Sequence, residues 1–192
     1  MKAGLLIGKI ISHLRQKPFV YNKRLIFECS MHAQISPISP KLPVEFRFGS
    51  TENTNQLMIP PKTNENELNE QEIYVNGTLN EKKIYHMRIS LARDTMIHLL
   101  PCCHVPEKVA FIYDCYTDPQ FRGYGIFSGA LNYFLRYLQC HKFDKAYIRV
   151  HPRNTFSIKG IERAGFRLLG KAYHLSFFGF PLKPCGRVKS AS

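Results

Sequence analysis

Residues 109–135 read VAFIYDCYTDPQFRGYGIFSGALNYFL, and the fold turns on how this stretch is parsed. Val109 to Tyr116 is an apolar run of β-branched and aromatic side chains, the composition of a buried strand. Asp118-Pro119 is a turn-forming pair. Gly123 and Gly125 follow, and Phe127, Ala130, Leu131, Phe134, Leu135 and Leu138 then recur at helical steps, which predicts a helix with one buried face. Without Cβ atoms the two glycines can take positive φ and bring backbone N–H groups up to a ligand. The first N–H groups of a helix lack intrahelical acceptors and sit at the positive end of its dipole, so the bend suits a phosphate. Arg122 adds a full charge beside it. The pattern is neither a P-loop, which needs Gly-x-x-x-x-Gly-Lys-Ser/Thr, nor a dinucleotide fingerprint, which needs a third glycine and a later acidic residue.

Downstream, His141-Lys142 closes the helix, and AYIRV (146–150) predicts a short strand, so strand, helix and strand imply a parallel pair with a right-handed crossover. Asn154 to Ala164 reads as a second helix, capped by Asn154 and stopped at Gly165. Gln120-Phe121-Arg122-Gly123-Tyr124-Gly125 resembles the Gln/Arg-x-x-Gly-x-Gly/Ala signature of the GNAT superfamily of N-acetyltransferases. Val150 to Phe166, VHPRNTFSIKGIERAGF, resembles the second signature of that family through Asn154, Ser157, Glu162, Gly165 and Phe166. Two signatures in the right order make the match specific over Asp114 to Phe166.

The resemblance implies a mixed α/β (α+β) fold: the GNAT acyl-CoA N-acyltransferase fold, with a mixed central sheet, a splayed parallel strand pair and flanking helices. It implies acetyl-CoA as co-substrate. Backbone groups of Cys115, Tyr116 and Thr117 would hold the pantetheine arm, and Gln120, Phe121, Arg122, Gly123, Tyr124, Gly125 and Ile126 the pyrophosphate. Asn154 would contact the cofactor, serve as a helix cap, or both. The reaction implied is direct attack of an acceptor amine on the thioester, with departure of the CoA thiolate. Family members often protonate that thiolate from a tyrosine seven residues after the motif asparagine; here the position is Ile161, so the acid is unassigned. Asp114 and Tyr116, two apart on one strand, share a face and are the candidate base and acid. His104 and His151 are weaker candidates, and Tyr173 and His174 weaker again.

Around this centre, the 192 residues and 44% hydrophobic content fit a single domain. The boundaries expected are 1–43 for an amphipathic helix and Pro-rich lead-in, 44–184 for the acetyltransferase domain and 185–192 for a basic tail. In residues 3–16, Leu5, Leu6, Ile10, Ile11 and Leu14 share a helical stripe among lysines and arginines, suited to core packing or to an anionic membrane surface. FVYNKRLIFEC (19–29) is a short strand or a loop. ISPISPKLP (35–43) excludes regular helix and central strand. VEFRF (44–48) alternates as a half-buried strand does, and the polar residues 49–71 suit short helices or a mobile substrate loop. EIYV, an Asn76-Gly77 turn and the run that follows suggest a hairpin, whose second strand begins at Thr78 or only at Lys83. Met96 to Leu100 is a further apolar patch, and residues 166–180 hold more strand-like runs.

The six cysteines show no CxxC pair; Cys115 and Cys140 read as small apolar residues in a reducing cytoplasm, and Cys102-Cys103-His104 lacks the partners of a zinc site. No apolar run is long enough to span a membrane, and the N-terminus is no convincing signal peptide. The net charge of +13 suits an anionic partner or simply a soluble basic surface. The acceptor is unread, with a slight lean to an amino sugar or other envelope-related amine. A catalytically weak or inactive acyl-CoA-binding protein of the same fold is the alternative that Ile161 raises. Nucleic-acid binding ranks third, because the basic residues are dispersed and no binding signature is present. The oligomer expected is a monomer or homodimer.

Overall fold

The computed structural model describes residues 19–49, 72–91, 108–177 and 180–182, and in it the run that opens at Val109 is the fifth of eight strands in one sheet. The strands are β1 (Phe19–Ser30), β2 (Glu45–Gly49), β3 (Glu72–Leu79), β4 (Lys82–Ser90), β5 (Val109–Thr117), β6 (Lys145–Val150), β7 (Arg167–Phe177) and β8 (Phe180–Leu182). Their spatial order is β2-β3-β4-β5-β6-β1-β7-β8. Helix α1 (Ile126–Cys140) carries the chain from β5 to β6, which is why these two strands run parallel; α2 (Thr155–Arg163) follows β6.

Both helices cover one face of the sheet. Ile126, Ala130, Leu131, Phe134, Leu135 and Leu138 of α1 and Ile161 of α2 are buried in one cluster with Phe27, Val75, Met87, Ile89, Ala110, Ile112 and Ile148. Burying a side chain of this kind contributes about 1.5–3 kcal/mol, so the apolar stripe read from the sequence anchors α1. The alternate residues Ile26, Val109, Phe111 and Tyr147 form a second cluster on the opposite face.

Residues 34–44 contain neither helix nor strand, as the prolines require, and strap across α1. Asn132, only 3% exposed, accepts from Ile38 N–H at 3.1 Å and donates to Ser36 C=O at 2.8 Å. Pro40 lies so close to Gly129 that a Cβ there would stand 2.9 Å from its ring, and Lys41 N–H donates to the Tyr124 carbonyl in the glycine loop at 2.8 Å.

Four expectations are corrected. Asn76-Gly77 is no turn: β3 runs through it, and the hairpin closes at Asn80 and Glu81, both at positive φ (49° and 65°). Gly77 is required by packing instead, since a Cβ would stand 3.0 Å from Tyr85 and 3.1 Å from Phe46 and Val44. The segment 19–29 is a long strand, paired on both sides by β6 and β7, so a boundary at Val44 cuts through the sheet. Cys140, at the end of α1, is exposed and packs no core. The helix of residues 3–16, residues 50–71, Met96–Leu100, Cys102-Cys103-His104 and the tail 185–192 lie outside the described residues.

Candidate functional site

β5 and β6 pair only from Val109↔Lys145 to Ile112↔Ile148, although β5 continues to Thr117 and β6 to Val150. Beyond Ile112 the chains part, and β5 keeps only β4 as a neighbour. On that side Tyr113 pairs with Arg88 and Tyr116 with His86, so Asp114 and Cys115 together face the single residue Met87. This bulge holds Asp114 at φ 49°, an uncommon conformation for a residue with a side chain. It also turns the strand just where it loses its parallel partner.

A cleft of about 770 Å³ opens from this gap toward the N-terminus of α1. Cys115, Tyr116 and Thr117 line its strand side, Phe121 to Gly123 and Gly125 to Ser128 the loop and first helical turn, and Asn154, Phe156, Lys159 and Arg163 the α2 side. Gly123 and Gly125 lie at φ 84° and 76°. Within the loop, the amides of Gln120, Phe121 and Arg122 are spent on Asp118 and Pro119. The amides of Gly123 through Ser128 donate to no acceptor among the described residues. Unspent donors at a helix N-terminus are an anion cradle. Arg122 is exposed, its Nε held by the Thr117 carbonyl at 3.1 Å, and the Arg163 guanidinium comes within 3.8 Å of where a Cβ on Gly125 would stand.

The sequence-named residues divide. Cys115, Tyr116, Thr117, Phe121, Arg122, Gly123, Gly125, Ile126 and Asn154 line the cleft; Gln120 and Tyr124 do not. Asn154 accepts from Ser157 N–H at 3.1 Å, so its cap role is present beside its place in the cleft. Asp114 and Tyr116 are both exposed, Asp114 ion-paired to Arg88 at 3.6 Å and Tyr116 stacked on His86. His151 accepts from Arg153 N–H at 3.1 Å and does not line the cleft. Tyr173 is half-buried on β7, also away from the cleft; His104 and the side chain of His174 lie outside the described residues. Ile161 is 1% exposed, a core anchor of α2. The sequence reading passed over Phe156, Lys159 and Arg163, which belong to the second signature's helix and share its cleft side, and His86, which carries no motif.

Cys115 is the one thiol in the cleft among the described residues. Burial, above all, pushes it up to about 12, so it is a protonated thiol near neutral pH.

An eight-stranded mixed sheet with a parting parallel pair, and a run of unspent amides at the start of the crossover helix, define an α/β protein with a cleft between an open strand edge and a helix N-terminus. Residues 54–166 match the Acetyltransferase (GNAT) family, and the chain belongs to that family. Among solved structures it is similar to a GCN5-related N-acetyltransferase from Kribbella flavida, at 11% identity and TM-score 0.52, over 88% of this chain and 62% of that one. It is also similar to a Drosophila protein, at 8% identity and TM-score 0.52, over 92% of this chain and 58% of that one. A functionally unknown conserved protein from Staphylococcus epidermidis matches at 11% identity and TM-score 0.49, over 88% of this chain. The chain thus spans 58% to 66% of the length of these three. No curated protein matches it. The expected GNAT fold is borne out. Among the described residues no helix is long and apolar enough to cross a membrane.

Proposed function

We propose that the protein transfers an acetyl group from acetyl-CoA to an amine by direct attack, with the thioester lying along the unpaired edge of β5. The carrying observation is the run of unspent amides from Gly123 to Ser128, which opens onto that edge and is flanked by Arg122, Lys159 and Arg163. The residues fit the cofactor. Its pyrophosphate would sit on the loop amides, its pantetheine arm along the backbone of Cys115, Tyr116 and Thr117, and its nucleotide end against Phe156, Lys159 and Arg163. When bound, acetyl-CoA supplies an acyl carbon activated by a thiol leaving group.

The chain's own groups do the rest. The bulge at Asp114 and Cys115 turns backbone amides out of the ladder, where one can polarise the acyl carbonyl. The Tyr116 hydroxyl is the candidate donor to the departing thiolate. Cys115, held protonated, is a poor nucleophile, which favours direct transfer over a cysteine-bound acyl intermediate.

The core position of Ile161 supports one second reading, a protein that holds acyl-CoA without turning it over. Calorimetry with acetyl-CoA, followed by thiol release against a panel of amines that includes amino sugars, separates the two. Binding with release for at least one amine is expected. Binding without release for any amine favours the second reading, and failure to bind overturns both.

A further inference from the structure

The sheet face turned away from the helices carries polar side chains that the cofactor assignment leaves unused. Register sets Asn76, His86 and Tyr116 side by side on β3, β4 and β5, and the rings of His86 and Tyr116 stack with centroids 5.4 Å apart. One step along the strands, Arg88 bonds Glu72 at 2.7 Å and lies over the rings of Tyr74 and Tyr113 at 5.4 and 5.1 Å. Tyr113 and Tyr74 also donate to Glu72, and Asp114 completes the group through Arg88. That group sets one guanidinium against two carboxylates, so each of its ions has a partner and a net negative charge is left over. His86 is different: among the described residues neither ring nitrogen makes a hydrogen bond, and the ring is only partly buried.

The bulge places this ring next to the chemistry. His86 faces Tyr116, a cleft-lining residue of the strand along which the thioester is placed, and precedes Met87, the residue opposite the bulge. We infer that His86 takes the proton from the acceptor amine, its ring seated on Tyr116 and its developing charge answered by Asp114. The inference rests on acetyl transfer as proposed above, and it moves the base from Asp114 to His86. In the balanced step, an ammonium R–NH3+ gives one proton to the neutral imidazole. The freed lone pair then forms the C–N bond as the C–S bond breaks. Tyr116 gives its hydroxyl proton to the thiolate and recovers a second proton from the nitrogen, and the imidazolium releases its proton to water.

The surroundings fit a neutral ring. Burial first, then Lys83 and Arg88 on its own strand, lower the His86 pKa, while Asp114 of β5 pulls it up; Asn76 of β3 and Tyr116 of β5 also face it. Among the candidate groups on this face, Asp114 is already committed to Arg88.

The test compares the wild-type full chain with His86→Gln and Asp114→Asn. Acetyl-CoA binding is measured by calorimetry, and kcat/KM against pH with spermidine, tyramine, glucosamine, lysine and a short peptide. His86→Gln is expected to keep the acetyl-CoA Kd, lose about 100-fold or more in kcat/KM near neutral pH, and lose the acid limb of the profile. Asp114→Asn is expected to move that limb to lower pH, since a carboxylate that raises the histidine pKa is removed. A His86→Gln enzyme within a few-fold of wild type, with its acid limb intact, overturns the inference. If that variant fails to fold, an unmoved limb in Asp114→Asn does so. If no amine is turned over, the histidine NMR signals of the wild type are followed as acetyl-CoA is added; a shift in the His86 ring supports the placement, and its absence overturns it. Failure of the wild type to bind acetyl-CoA refutes instead the reading beneath.

Discussion

Gly123 and Gly125 hold the loop in a left-handed conformation, φ 84° and 76°, that costs other residues about 1–2 kcal/mol. A Cβ at Gly123 would meet no atom within 4 Å, so Gly123→Ala acts through the backbone alone. Gly125→Val adds a branched side chain beside Arg163 and Pro40. Both are expected to abolish acetyl-CoA binding in calorimetry while circular dichroism stays close to wild type; unchanged affinity in both argues against the loop as the cradle. A second residue-scale outcome concerns Cys115. With its thiol held at about 12, intact-mass spectrometry after mixing with acetyl-CoA should show no acetylated protein at neutral pH. These loop positions were legible in the sequence because glycine spacing encodes backbone conformation directly. His86 was not: its role depends on a cross-strand neighbour, and no spacing along the chain reveals which residue lies opposite Tyr116.

At the scale of elements, α1 does two jobs, burying its stripe and anchoring the strap that reaches the glycine loop. Asn132 carries the second. Asn132→Ala would leave the Ile38 N–H and Ser36 C=O without their partner, at about 0.5–1.5 kcal/mol for each of the two part-buried hydrogen bonds lost. A loss of unfolding free energy of that order is expected in urea denaturation, with Asn132→Asp no less costly, because a buried carboxylate oxygen then faces the Ser36 carbonyl in place of the amide donor. The β3–β4 pair carries a pH-dependent term. Hydrogen bonds from Tyr113 and then Arg88 lower the pKa of Glu72. A lowered carboxylate pKa adds stability above its unfolded value and loses it as pH falls through the folded one. Urea unfolding from neutral pH down through the carboxylate range should therefore show a smaller acid loss in Glu72→Gln than in wild type, the difference being modest because the group is exposed. This hairpin also shows how local signals mislead. Asn-Gly suggests a turn, but the glycine lies against Tyr85 and Phe46, and the turn falls on Asn80-Glu81, where glutamate at positive φ is no sequence signal.

For the whole molecule, the strand–helix–strand unit and the second helix were readable because their pairings are local or follow from a helical crossover. The place of β1 was not, since it pairs with β6 and β7 more than a hundred residues away. That long-range pairing makes the N-terminal strand part of the core. Phe27 is 1% exposed between the sheet and its helices, and Phe27→Ala is expected to cost about 3–5 kcal/mol. Removing residues 1–30 goes further: it strips β6 of its second partner, parts β7 and β8 from the sheet, and uncovers Tyr147 and Ile148. The truncated chain should lose its cooperative urea transition and bind a hydrophobic dye. A truncated chain that still unfolds cooperatively and binds acetyl-CoA would mean that the domain closes without β1 and that the strand is a lead-in after all.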